Sequence, residues 1–262
     1  MRAIAAVFLF SSFALLAQAA TRLSATPDAL AGAMRASQVV LLGEVHDNAA
    51  QHALRAQALR AIVQSGARPA IAFEQFDGSA QAAIDQARRE RPRDVDYLVA
   101  QARGAAGWNW AMYKPFIAIA LEYDLPIVAA NLGRADAMQI ATAPAPADAP
   151  AELVRAQEEA VKAGHCNLLP PEAVPGIARA QIARDRALAQ AIAPHAERGV
   201  VLLAGNGHAR KDIGVPRWLA VPSTSIALVE DDEDAGAYDY YIVTERATRP
   251  DPCEDLRRRT KR

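Results

Sequence analysis

The chain has 262 residues with 29 basic and 30 acidic side chains, a formal net charge of −1. That balance excludes general nucleic-acid binding, which needs a basic excess or stripe. The Arg257-Arg258-Arg259 and Lys261-Arg262 run is basic but terminal, and reads as a solvated chain end.

Met1-Arg2 gives a short positive start, Ala3 to Leu16 is an almost unbroken apolar run, and Ala17-Gln18-Ala19 has the small-x-small pattern a signal peptidase accepts. The run is short for a membrane span, and polar Thr21–Asp28 follows directly. Residues 1–19 therefore read as a signal peptide. With no cysteine near the cleavage point, the expected product is soluble in the periplasm or secreted. Removing Arg2 with the leader leaves 28 basic against 30 acidic residues on one domain, 20–262.

Val39–Leu42 is a continuous, partly β-branched run, as expected of a strand covered on both faces. It stops at Gly43, and Asp47 or Asn48 can cap the Ala/Leu-rich helix that runs to about Gln64. Ala70–Phe73 is the next strand, ending at Glu74, and a helix follows from Ser79 to about Glu90. Trp108 to Tyr123 reads as a helix with Pro115 inside it, predicting a kink or late start. Pro126–Ala130 is a third strand ending at Asn131. The Ala/Pro stretch 141–150 reads as a linker, with helices over 151–163 and 172–193, so that about 141–198 forms a helical insertion or cap. Gly199–Ala204 is a fourth buried strand, and Thr224–Val229 and Tyr240–Thr244 finish the sheet. The acidic turn Asp231–Asp234 reads as a hairpin loop between those last two. Alternating strands and helices imply an α/β fold with a mostly parallel central sheet flanked by helices.

In such sheets ligands bind beyond the carboxyl ends of the strands. Four strands here end in polar side chains: Glu44 with His46, Glu74, Asn131, and Asn206 with His208. If these strands run parallel, the side chains converge on one edge. Gly43, Gly205 and Gly207 suit positive φ or close backbone approach. Two imidazoles with Glu44 or Glu74 would form a transition-metal shell, or a base and acid pair around a ligand. Against this, His46 could simply cap the helix start and His208 bond a loop carbonyl. His52 is expected to be solvated, and His165 and His195 to have core or surface roles.

Trp108, Trp110, Tyr113 and Phe116 gather on one helix, either as core or as one wall of a pocket for a flat apolar ligand. There is no Gly-x-Ser-x-Gly elbow and no phosphate-binding Gly-x-x-x-x-Gly-Lys-Ser/Thr loop. Cys166 and Cys253 are the two cysteines, and in an exported protein they are expected to pair. A bridge of that span contributes about 3–4 kcal/mol if unstrained.

Leu41–Asn48, Phe73–Phe76, Trp108-Asn109-Trp110 with Tyr113 and Pro115, Asn131 with Arg134, Gln181 with Asp185, and Ala204–Arg210 extending to Gly214-Val215-Pro216 together resemble the ChaN-like haem-binding proteins. The resemblance covers nearly the whole mature chain. It implies a haem-binding protein of iron uptake, pairing of two chains around stacked haems, and outer-membrane haem-uptake components as partners. It also implies tyrosine ligation of the haem iron, with Tyr113 the best match by motif and Tyr97 and Tyr123 weaker ones. Arg134 and Arg210 are the expected partners of the haem propionates. The wider superfamily includes the TraB and Tiki proteins, whose paired Gly-x-x-His motifs and glutamate imply the alternative. That alternative is a metal-dependent hydrolase using Glu44, His46, Glu74 and His208 around a divalent transition metal.

Overall fold

The computed structural model describes residues 19–102, 107–145 and 147–260. All but the last residue of the expected signal peptide, and Lys261-Arg262 of the basic tail, lie outside the described residues. The strands are β1 (Thr21–Arg22), β2 (Val39–Glu44), β3 (Ala70–Asp77), β4 (Ile127–Asn131), β5 (Val200–Gly205), β6 (Thr224–Val229) and β7 (Tyr240–Val243). The helices are α1 (Pro27–Met34), α2 (Ala49–Gln64), α3 (Gln81–Glu90), α4 (Val95–Gln101), α5 (Trp110–Glu122), α6 (Arg134–Thr142), α7 (Ala151–Gly164), α8 (Val174–Ile192), α9 (Asn206–Ala209) and α10 (Pro252–Thr260).

The strands form one sheet in the order β1-β7-β6-β2-β5-β3-β4, and every adjacent pair is parallel. This is the α/β architecture the alternation implies. One detail differs: β6 and β7 pair parallel, with Ile226 opposite Tyr240 and Val229 opposite Val243, so the acidic turn does not close a hairpin. The connection passes through a single 3-10 turn at Ala235–Ala237, which brings the chain back to the same end of the sheet. Such short parallel crossovers are unusual, and the acidic-turn pattern gives no sign of one.

Side chains alternate across the central strands, as a period of two requires. Val40, Leu42, Ile71, Phe73, Val201 and Leu203 enter one core with Leu30 of α1, Leu59 of α2 and Phe116 of α5. Val39, Leu41, Ala70, Ala72, Val200 and Leu202 enter the other with Leu188 and Ile192 of α8. Both faces are covered, so these strands read as unbroken apolar runs. α8 therefore packs on the sheet itself, while α7 meets α8 through Val161, Val174 and Ala178. Cys166, just beyond α7, is bonded to Cys253 on α10, with Cα atoms 5.7 Å apart.

α2 is capped by Asn48, whose side chain accepts from the Gln51 N–H. α5 runs through Pro115 without a break and starts at Trp110, after the Asn109 cap. α1, α4 and α6 have no counterpart in the sequence reading. The last two residues of α6 fall in the stretch 141–150 expected to be a linker.

Candidate functional site

β2, β5, β3 and β4 are neighbours in the sheet, so Glu44, the Gly205–His208 turn, Glu74 and Asn131 lie side by side at its carboxyl edge. The β3–β4 register shifts between Phe73 and Asp77, and Glu74 sits in this irregular stretch. Asn131 Nδ2 donates to the Glu74 carbonyl at 2.8 Å, tying the tips of β3 and β4 together. Asn206 Nδ2 does the same for β5 and β6 through the Leu228 carbonyl at 2.7 Å.

Neither Gly43 nor Gly205 has positive φ, so of the two expected uses of glycine only close approach applies. A Cβ on Gly43 would lie 2.4 Å from Asn206 Oδ1, and one on Gly205 would lie 2.8 Å from His46 Cε1. At Gly207 a Cβ would meet nothing within 4 Å.

Glu44 is buried and surrounded by donors. Its Oε1 accepts from the Tyr113 hydroxyl at 2.6 Å and faces His46 Nδ1 at 3.0 Å. Its Oε2 pairs with the Arg55 guanidinium and lies 3.4 Å from His52 Nε2. Arg55 is fully buried, also donates to the Leu42 carbonyl at 2.7 Å, and is lowered by burial to about 9. Sequence reading missed it, because an arginine in mid-helix normally faces water. His52 is the reverse error. It is buried rather than solvated, and donates from Nε2 to the His46 carbonyl at 3.0 Å. Burial lowers it to about 4, so it is neutral. The ring finds its place edge-on to Tyr113, with centroids 4.8 Å apart.

A second cluster centres on His208. Its Nδ1 is 2.6 Å from Asp185 Oδ1 and its Nε2 is 3.5 Å from Glu74 Oε1. Glu74 Oε2 also accepts from the Gly205 N–H at 2.7 Å. Burial alone would lower the imidazole, but Glu74 and Asp185 together raise it to about 10. Burial would raise Glu74, but His208 pulls it down to about 2. For Asp185 burial prevails over His208 and lifts the carboxyl to about 6. The result is an imidazolium held between two acids, with both ring nitrogens engaged.

The four residues of the expected metal quartet fall into two pairs, Glu44 with His46 and Glu74 with His208. Glu44 is also engaged by Arg55 and Tyr113, and Glu74 and His208 by the Gly205 N–H and Asp185 respectively. Among the described residues, no group of three or more His, Cys, Asp or Glu side chains is arranged to hold a metal ion.

A groove of about 390 Å³ opens over these tips. His46, Glu74 and His208 line its polar side, and Ala137, Met138 and Ala141 of α6 with Ile177 and Ala180 of α8 line the apolar side. Arg134, Arg184 and Gln181 also border it. Arg184 donates to Asn131 Oδ1 at 3.2 Å and was not singled out from the sequence, where only its spacing from Gln181 on one helix could have suggested it. Arg210 is not in this groove: it pairs with Asp212 at 2.7 Å and with Asp234 at 3.2 Å.

The aromatic residues stand behind the groove. Trp108 contacts His46 edge-on at 4.8 Å, Trp110 stacks on Phe76 at 4.9 Å, and Tyr113 is wholly buried. Tyr97 bonds Glu90, and Tyr123 lies under Arg68. None of the three candidate tyrosines borders the groove.

In solved structures, the chain is similar to one described as cofacial heme binding to ChaN of Campylobacter jejuni. The TM-score is 0.70 at 21% identity, over 82% of this chain and 89% of that one. It is also similar to the type III effector HopBA1, with a TM-score of 0.51 at 15% identity over 84% of this chain and 94% of that one. At these identities the likeness shows a shared fold. No curated protein sequence matches the chain. A family model described as haem-binding uptake, Tiki superfamily, ChaN matches residues 30–219, which span β2 to β5, both clusters and the groove. The chain therefore belongs to the ChaN haem-binding uptake family of the Tiki superfamily.

Proposed function

We propose that this protein is exported and binds haem, as cargo of iron uptake, in the groove at the carboxyl edge of the sheet. The observation that carries this reading is the groove's composition. A flat apolar macrocycle with two carboxylates needs an apolar wall and cations beside it. Here Ala137, Met138, Ala141, Ile177 and Ala180 supply the wall, and Arg134 and Arg184 the cations. A volume of about 390 Å³ lies within the range of small-molecule sites, about 300–1,000 Å³. Arg184, held by Asn131, is the better placed propionate partner, and Arg210 is spent on Asp212 and Asp234. When bound, haem brings a redox-active iron, and the residues of this chain exclude water from one face of the ring and neutralise its propionates.

Met138 is 56% exposed at the groove, which leaves apolar surface for a second chain to cover and supports pairing of two copies. The Cys166–Cys253 disulfide supports an oxidising compartment such as the periplasm. Among the described residues no helix is long and apolar enough to cross a membrane.

Titrating the mature protein with haemin tests the reading. A saturable Soret change at micromolar haemin is expected, and its absence would refute haem binding.

A further inference from the structure

We propose that a second pocket, on the outer side of α8, binds a small aliphatic carboxylic acid through Arg186. Along α8, Arg179, Ile182, Ala183, Arg186, Ala187 and Gln190 recur at helical spacing and form one stripe. Leu188 and Ile192 meet the sheet from another side of the helix. A helix face turned from the core is ordinarily polar, yet this one is apolar between its two arginines. Leu132, Ile140 and Ala143 stand across from it, around a cavity of about 360 Å³, within the range of small-molecule sites. None of its lining residues belongs to the groove over the strand tips.

The charge of this pocket is unbalanced. Arg179 donates to the Ala141 and Ala143 carbonyls at 3.1 and 2.8 Å, and its Nε is buried with no hydrogen-bond partner. Seven residues on, about 10 Å along the helix, Arg186 meets Asp148 Oδ2 at 2.9 Å. Asp148 is the one acidic residue lining the cavity, so two guanidiniums face a single carboxylate.

That carboxylate is 94% exposed, and an exposed ion pair contributes little. The Arg186 fork is fixed at the rim independently, because its guanidinium carbon lies 4.3 Å from the centre of the Trp218 ring. Asp148 thus occupies the place a ligand carboxylate takes. An incoming acid keeps the planar, charge-assisted contact with Arg186 and adds burial of its tail against Ile140 and Ile182. An apolar tail with one carboxylate is the chemistry that both ends of the pocket answer.

The inference does not depend on haem binding, and is tested by isothermal titration calorimetry of haem-free mature protein with sodium decanoate. Saturable binding is expected, with decanol, which lacks the charge, at least tenfold weaker. Arg186→Met should weaken decanoate about tenfold, and Ala183→Phe, which fills the cavity, should abolish binding. Asp148→Asn should tighten it, since the ligand no longer displaces a carboxylate, whereas a purely structural ion pair gives weaker binding. No saturable decanoate binding, equal binding of decanol, or weaker binding to Asp148→Asn overturns the proposal. Displacement of decanoate by haemin also overturns it, by placing both ligands in one site. If Arg186→Met fails to fold by circular dichroism, Ala183→Phe decides, and a wild-type affinity there overturns it.

Discussion

Asp185 Oδ1 on α8 lies 2.6 Å from His208 Nδ1 on the turn after β5, so the helix that walls the groove is pinned to a strand tip by one buried contact. Asp185→Asn removes the counter-charge and leaves the imidazolium with Glu74 alone. A loss of about 3 kcal/mol is expected, read from urea unfolding.

The same cluster sets a dependence on pH. His208 is raised from 6.5 to about 10, so its stabilisation is complete below pH 6.5 and is lost as the pH climbs through 10. Glu74, lowered from 4.5 to about 2, stabilises above pH 4.5 and stops doing so as the pH falls through 2. Asp185, raised from 3.8 to about 6, opposes part of this, since its effect becomes unfavourable as the pH rises from 3.8 to 6. The wild-type melting temperature should fall more steeply between pH 7 and 10 than that of His208→Gln.

Arg55→Met would strand the Glu44 carboxylate in a buried site. Removing one partner of such a pair costs about 3–5 kcal/mol, and the double variant Glu44→Gln/Arg55→Met should recover part of that loss. Denaturant midpoints of the three variants decide the point.

Two arginines should separate in haemin titrations. Arg184→Met is expected to weaken haemin binding about tenfold, equivalent to about 1.4 kcal/mol. Arg210→Met should leave the affinity unchanged, because its guanidinium is turned to Asp212 and Asp234.

Gly43→Ala should destabilise the protein by more than about 1 kcal/mol, since the new methyl would meet Asn206 and also approach the Ile226 carbonyl at 3.1 Å. Gly207→Ala lies in a helical turn with open space around it and should be neutral or stabilising by up to about 1 kcal/mol. Thermal melts of both variants test the contrast.

The sequence alone determined the sheet, because strands covered on both faces must be continuously apolar and Val39–Leu42, Ala70–Phe73 and Val200–Ala204 are. It also determined that Glu44, Glu74, Asn131 and His208 share an edge, since parallel strands end on one side. Which of these groups touch was settled by tertiary packing. Arg55 and His52 lie on the face of α2 turned to β2 and α5, in line with the buried Leu59, Ile62 and Val63, but a guanidinium and an imidazole on such a face are ordinarily expected to reach for water. α6 and Arg184 escaped the reading for a related reason. The 134–142 segment owes its helix to packing against α8, and periodicity carries little of that signal. Partner choice among charged groups depends on distances of a few ångströms between residues far apart in the chain, and only the folded structure sets those distances.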